Sequence, residues 1–136
     1  MVVAACLAAL VVGIIVARAS VSLFNLNVGP NIGTVTTLGL ALKDFSGTNT
    51  VTSIDWGNIT TGSSRSYGPY LLVNTGSADE NVTMTNDMSA LIGTCTWDAE
   101  NRTVPYAGSI FIDFTITILP DIPAQGFSFN ITIQAI

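Results

Sequence analysis

Hydrophobic and polar positions change rhythm along this chain. From Met1 to Ala17 every side chain is apolar or absent, with no period to interrupt the run. As a helix this run is about 25 Å long at ~1.5 Å per residue. That falls short of the ~30 Å hydrocarbon core of a bilayer. Continuing the helix to Phe24 reaches it, but places Arg18 about three-quarters of the way along, where a span is strained unless the side chain snorkels. Ala5, Ala9, Gly13 and Ala17 recur every fourth residue and line one helix face, with Ala4 and Ala8 beside them. Small residues at that spacing let helix backbones approach closely, which is how apolar helices associate. The pattern predicts a helix from near Met1 to about Phe24 whose contacts are mostly with other copies of itself.

Residues 20–28 fit two templates. They continue the helix, or they form a strand with Phe24, Leu26 and Val28 on one face and Asn25 and Asn27 on the other. Gly29-Pro30-Asn31 ends either one, because proline removes a donor and glycine tolerates positive φ. The hinge between an N-terminal rod (1–28) and a second domain (29–136) is expected there.

After the hinge the period is two. Residues 34–42 read as a Thr-rich strand with Leu38, Leu40 and Leu42 on one face. Shorter strands follow at 51–56, 70–74, 81–85 and 93–97. In the third of these Val82 and Met84 point inward and Asn81, Thr83 and Thr85 outward. Residues 88–91 do not alternate and read as a helical turn, and 98–101 as a hairpin turn. Alternation is clearest at the end. Ile110, Ile112, Phe114, Ile116 and Ile118 share one face, opposite Asp113, Thr115 and Thr117. Then Phe127, Phe129, Ile131 and Ile133 point in, with Ser128, Asn130, Thr132 and Gln134 out. Two such strands joined by a loop holding Pro120 and Pro123 predict an antiparallel pair with one buried face. Seven or eight short strands, with turns every ~8–12 residues, suggest an Ig-like sandwich. The expected fold is mainly β: an N-terminal hydrophobic α-helix followed by an Ig-like antiparallel β-sandwich.

Composition narrows the function. Only 10% of the 136 residues are charged, the net charge is −5, and there is no histidine. A basic nucleic-acid footprint is absent, so no nucleic-acid partner is expected. Without histidine the commonest general base and transition-metal ligand are missing, and a Ser or Cys nucleophile has no imidazole to activate it. The carboxylates Asp79, Glu80, Asp98 and Glu100 sit at turns, where solvated side chains are the ordinary reading. Asp79, Glu80 and Asp87 are a weak Ca²⁺ candidate, and Asp55 reads as a turn cap. Cys6 and Cys95 belong to different parts of the chain and read as small buried apolar residues. Trp56 and Trp97 read as core or subunit interface more readily than as sugar-stacking rings. No enzyme activity, metal or cofactor is expected.

Four Asn-x-Thr sequons remain, at Asn58, Asn81, Asn101 and Asn130. Each alone is weak in a Thr-rich chain. Four of them behind an apolar N-terminus predict an extracellular glycoprotein carrying N-linked glycans. Ala17-Arg18-Ala19 also has the small-x-small form cut by signal peptidase, although no Lys or Arg precedes the apolar run.

The strings Ser53-Ile-Asp-Trp-Gly57, Tyr70-Leu-Leu-Val-Asn-Thr-Gly76, Thr96-Trp97-Asp98 and Gly126-Phe-Ser-Phe-Asn-Ile-Thr-Ile133 resemble the sandwich domains of small archaeal surface proteins. The layout of rod then β domain is similar to that of archaeal type IV pilins and archaellins. It departs from them in lacking a charged residue and glycine cleavage site ahead of the rod. The resemblance implies a structural subunit of an extracellular filament, a helical homopolymer serving adhesion or surface attachment, with the membrane a partner only before assembly. The alternatives are a filament built by donor-strand exchange after leader cleavage, with 20–28 as the donated strand, and a membrane-anchored monomeric surface-binding protein.

Overall fold

A computed structural model describes residues 31–136. The predicted rod, its stripe of Ala5, Ala9, Gly13 and Ala17, and the hinge at Gly29 lie outside the described residues. Within them, strands dominate and no helix occurs. In chain order the strands are β1 (Asn31–Leu38), β2 (Leu40–Lys43), β3 (Ser53–Asp55), β4 (Ser64–Asn74), β5 (Glu80–Asn86), β6 (Gly93–Trp97), β7 (Thr103–Val104), β8 (Ser109–Ile118) and β9 (Phe127–Ala135). They form a five-stranded sheet ordered β3-β1-β9-β5-β7 and a four-stranded sheet ordered β2-β4-β8-β6.

The two sheets share one core. Leu72, Ile112, Phe114 and Ile116 come from the four-stranded sheet, and Val82, Ile131 and Ile133 from the other; all are fully buried. Each such side chain stabilises by roughly 1.5–3 kcal/mol relative to exposure. Trp56, just past β3, is also fully buried. Its ring lies over Phe129 at 6.0 Å and edge-on to Tyr67 at 4.8 Å. Two buried asparagines fasten the ends of strands. Asn31 donates to Gly57 O (2.6 Å) and accepts from the Phe127 amide (3.3 Å). Asn74 donates to Ala78 O and Val104 O, tying β4 to β7 across the core. Buried polar groups persist where such partners exist.

The strand expected at 34–42 is two strands in different sheets. Inward positions are odd before Gly39 (Asn31, Gly33, Val35) and even after it (Leu40, Leu42), so Leu38 is exposed rather than aligned with the two other leucines. Gly39 has φ +73°, a conformation L side chains resist, and it redirects the chain from one sheet to the other. Residues 50–55 close the same side of the domain. Thr50 bridges to Lys43 and the Val51 amide donates to Leu42 O, while the Val35 amide donates to Thr52 O before β3 pairs with β1. The strand expected at 51–56 is therefore shared between the two sheets. The strand expected at 70–74 is the second half of β4, which slips register between Tyr67 and Tyr70.

The last two strands do not pair with each other. The alternation predicted for them is present, with Ile112 to Ile118 and Phe127 to Ile133 buried at every second residue. However, β8 lies between β4 and β6, and β9 lies between β1 and β5. The loop at 119–126 crosses from one sheet to the other, so the two apolar faces meet across the core. The β1–β9 pairing is parallel, from Asn31 opposite Phe127 to Leu38 opposite Gln134, which departs from the all-antiparallel expectation. The turn at 98–101 is likewise a crossing between sheets, from β6 to β7, and not a hairpin. In place of the helical turn expected at 88–91 stands a turn without helix, shifted toward β6 and closed by the Ile92 and Gly93 amides donating to Ser89 O. At Gly93 a Cβ would stand 2.0 Å from Thr117 O, so β6 approaches β8 as only glycine allows.

Candidate functional site

The outward faces of the two sheets differ in chemistry. On the five-stranded sheet the outward positions are mostly hydroxyls and amides: Thr34 and Thr36 on β1, Asn81, Thr83 and Thr85 on β5, Ser128, Asn130 and Thr132 on β9, with Ile32 and Leu38 exposed at the two ends of β1. All four sequon asparagines are exposed. Asn81 and Asn130 stand on β5 and β9, Asn101 on the turn before β7, and Asn58 on the loop leaving β3. Thus two sequons stand on this sheet, and the other two on the β3–β4 and β6–β7 loops that cross between the sheets. Asn81 and Thr103 are cross-strand partners, and the Thr103 hydroxyl donates to Asn81 Oδ1 at 2.7 Å. The structure thereby joins two sequons that are separate in the sequence.

The four-stranded sheet presents hydroxyls at one end and apolar rings at the other. Ser64 and Thr117 hydroxyls meet at 2.7 Å, and Ser66 and Thr115 at 2.9 Å, with Thr94 and Thr96 opposite the same threonines on β6. Toward the other end Phe111 is 51% exposed and Phe45 67% exposed, their rings stacked at 5.7 Å. Leu71, half-buried, is the register partner of Phe111. Phe45 is held out by a tight loop. The Asp44 carboxylate accepts from Thr48 N–H (3.0 Å), Ser46 Oγ (2.7 Å) and Asn49 Nδ2 (2.6 Å). Phe111 was legible in the sequence as an apolar residue on the polar phase of β8; Phe45 was hidden inside an apparent turn.

The carboxylates at the turns act as fasteners. Glu100 accepts from Thr83 Oγ1 (2.5 Å), Trp97 Nε1 (2.8 Å) and the Met84 amide (3.3 Å), which pins the sheet-crossing turn to β5. Asp98 accepts from the Asp113 amide, and Asp55 caps its turn by accepting from Gly57 N–H at 2.8 Å. Asp79 accepts from the Tyr106 amide and Asp87 from Asn130, so the three acids of the Ca²⁺ candidate are not brought together. Among the described residues no group of three His, Cys, Asp or Glu side chains stands ready for a metal. Two of the depressions lined by described residues lie on the domain's surface. One of about 290 Å³ is lined by Ile32, Gly126, Phe127 and Ser128, and one of about 270 Å³ by Met84, Asn86, Cys95, Thr96, Trp97 and Glu100. The single carboxylate in either is Glu100, already committed to three donors.

These bonds displace protonation equilibria. Hydrogen bonds from Asn49 and Ser46 hold Asp44 down to about 2. Those from the Asn130 backbone and side chain lower Asp87, and those from Thr83 and Trp97 lower Glu100. Each folded-state value lies below that of the unfolded chain. The corresponding stabilisation is complete above the unfolded carboxylate range near pH 4 and is lost as pH falls through the folded values. With no histidine present, thermal unfolding midpoints are expected to stay level from pH 5 to pH 8 and to fall only below about pH 4. A pH series of melting curves checks this. Burial pushes the Cys95 thiol up to about 12, so it stays protonated and inert in the folded domain.

No family model, curated protein or solved structure matches the chain. The geometry of the two faces therefore stands on its own.

Proposed function

We propose that the chain is a structural subunit of an extracellular, pilus-like filament of the archaeal kind, serving adhesion or surface attachment. Its hydrophobic segment (1–28) packs as a helix against the same segment of neighbouring copies and forms the fibre core. The domain from residue 29 onward, an Ig-like sandwich, forms the outer sheath and carries N-linked glycans at Asn58, Asn81, Asn101 and Asn130. The partner is the chain itself, with the membrane holding the segment only before assembly. The observation that supports this best is the division of the surface. Two exposed sequons stand on strands of the five-stranded sheet and none on a strand of the other, whose outward side carries the exposed Phe45–Phe111 stack. In a polymer the first surface faces solvent and the second faces other subunits.

The test is a single substitution in the rod. Gly13→Leu places a large side chain on the predicted close-packing stripe, where small residues allow backbone contact. Assembly is expected to fail while the β domain keeps its native circular dichroism. Normal fibres from this variant would remove the close-packed helical core from the reading.

Donor-strand exchange is the competing arrangement for the same function. Its support is the alternation of Phe24, Leu26 and Val28 with Asn25 and Asn27, which runs up to the residues that open β1.

A further inference from the structure

Two of the sequons, at Asn81 and Asn130, have an exposed asparagine on an enclosed backbone. A transferase that glycosylates asparagine must surround the Asn-x-Thr backbone, bring Nδ2 to the sugar donor, and bind the threonine hydroxyl. Asn130-Ile131-Thr132 offers neither its backbone nor a free Nδ2 in the folded domain. It lies in β9, an inner strand, with Thr34, Val35 and Thr36 of β1 in register on one side and Thr85 and Asn86 of β5 on the other. The middle residue, Ile131, is fully buried. The Asn130 amide and Nδ2 both donate to the Asp87 carboxylate, at 2.5 and 2.7 Å, and Asn130 O accepts from the Asp87 amide at 3.1 Å.

Asn81-Val82-Thr83 is enclosed in the same way. Asn81 O accepts from the Ile136 amide on the β9 side, and on the β7 side Val82 exchanges bonds with Arg102 O and the Asn101 amide. Val82 is fully buried, and the Thr83 hydroxyl is given to Glu100. Freeing either sequon means breaking the β5–β9 pairing, which is shared between them. Strands with partners on both sides open only by the costlier, sub-global routes.

We propose that the chain receives its sugars at Asn81 and Asn130 before the five-stranded sheet closes, and that the folded domain is a refractory substrate at both positions. The proposal rests on the glycoprotein reading. In the transfer, Asn Nδ2 attacks the anomeric carbon of a lipid-linked, phosphate-activated sugar. The N–C bond forms, the C–O bond to phosphate breaks, Nδ2 loses one proton, and the lipid phosphate leaves. Folding after transfer remains compatible with the native contacts. The modified Nδ2 keeps one hydrogen, and Asn81 Oδ1 is still there to accept from Thr103. The glycan itself points off an exposed face. Transfer and folding therefore compete, and the β5–β9 pairing ends the opportunity at both sites together.

The experiment uses unglycosylated full-length chain in detergent, shown folded by its melting transition. It is given to an oligosaccharyltransferase with a lipid-linked oligosaccharide, beside synthetic peptides spanning each of the two sequons. Site-by-site mass spectrometry reads the rates. The peptides are expected to be modified at least tenfold faster than the same sites in the folded chain, with Phe129→Ala, which loosens the sheet, raising occupancy at Asn81 and Asn130 together. Equal rates for folded chain and peptide would overturn the order of events while leaving the glycoprotein reading intact. Peptides that accept no sugar would overturn that reading at these sites, and the proposal with it.

Discussion

Replacing Trp56 with alanine will cost the domain about 3–5 kcal/mol, the range for deleting a large aromatic from a packed core. Trp56 is fully buried, stacked on Phe129 and met edge-on by Tyr67, whose hydroxyl donates to Trp56 O. The indole fills the space beside Gly33, where even a Cβ would come within 3.0 Å of Nε1. A domain of this size has a total stability of about 5–15 kcal/mol, so the loss takes up much of it. A fall in melting temperature of more than about 10 °C is expected. Trp56→Phe is the informative companion. The Nε1 proton is buried without a hydrogen-bond partner, a state that costs about 1–3 kcal/mol. Phenylalanine removes that burden while keeping most of the stacking, so its effect should be less than half that of alanine. Thermal denaturation of the three proteins decides this. A shift of only a few degrees for Trp56→Ala would show that the ring is not central to the core.

Deleting residues 1–28 will leave a soluble, monomeric, cooperatively folding domain that forms no fibres. The two sheets bring complete alternating apolar faces to one core. Ile112, Phe114 and Ile116 of one sheet and Ile131 and Ile133 of the other are all fully buried. The inner strand β9 is paired on both sides, β1 is bonded on its second side from Ile32 to Val35, and residues 50–55 and 98–102 each bond to strands of both sheets. Under donor-strand exchange the same deletion would leave a groove with unpaired backbone groups, which favours aggregation. Circular dichroism, size-exclusion chromatography and ultracentrifugation of the truncated chain separate the two outcomes. Rescue of an aggregating truncated chain by a peptide of residues 20–28 would place that segment as a strand in a neighbouring subunit.

The β character of the domain was legible because period-two alternation depends on burial alone. Ile110 to Ile118 and Phe127 to Ile133 announced their buried faces whatever their partners were. Partnership was not legible, because a strand's apolar face says which way it points and not which strand lies beside it. The short Pro-containing loop between β8 and β9 suggested a hairpin, yet it spans the core. Gly39 hid a change of sheet inside what read as one strand, since the leucines on either side differ in phase only once the bend is known. The exposure of the sequons was visible from alternation at Asn81 and Asn130. Their enclosure by neighbouring backbone was not, because it arises from the parallel β1–β9 pairing and from Asp87, which is distant in the sequence. The Phe45–Phe111 stack likewise joins residues from separate strands and a loop.

Filament formation is tested most directly by cryo-electron microscopy of native cell-surface material containing this chain. Fibres of uniform diameter are expected, with a helical repeat of one β domain per subunit, the apolar segment of 1–28 at the axis, and glycan density on the outward five-stranded sheet. Isolated β domains standing singly on the membrane, with no polymer in any preparation, would contradict it.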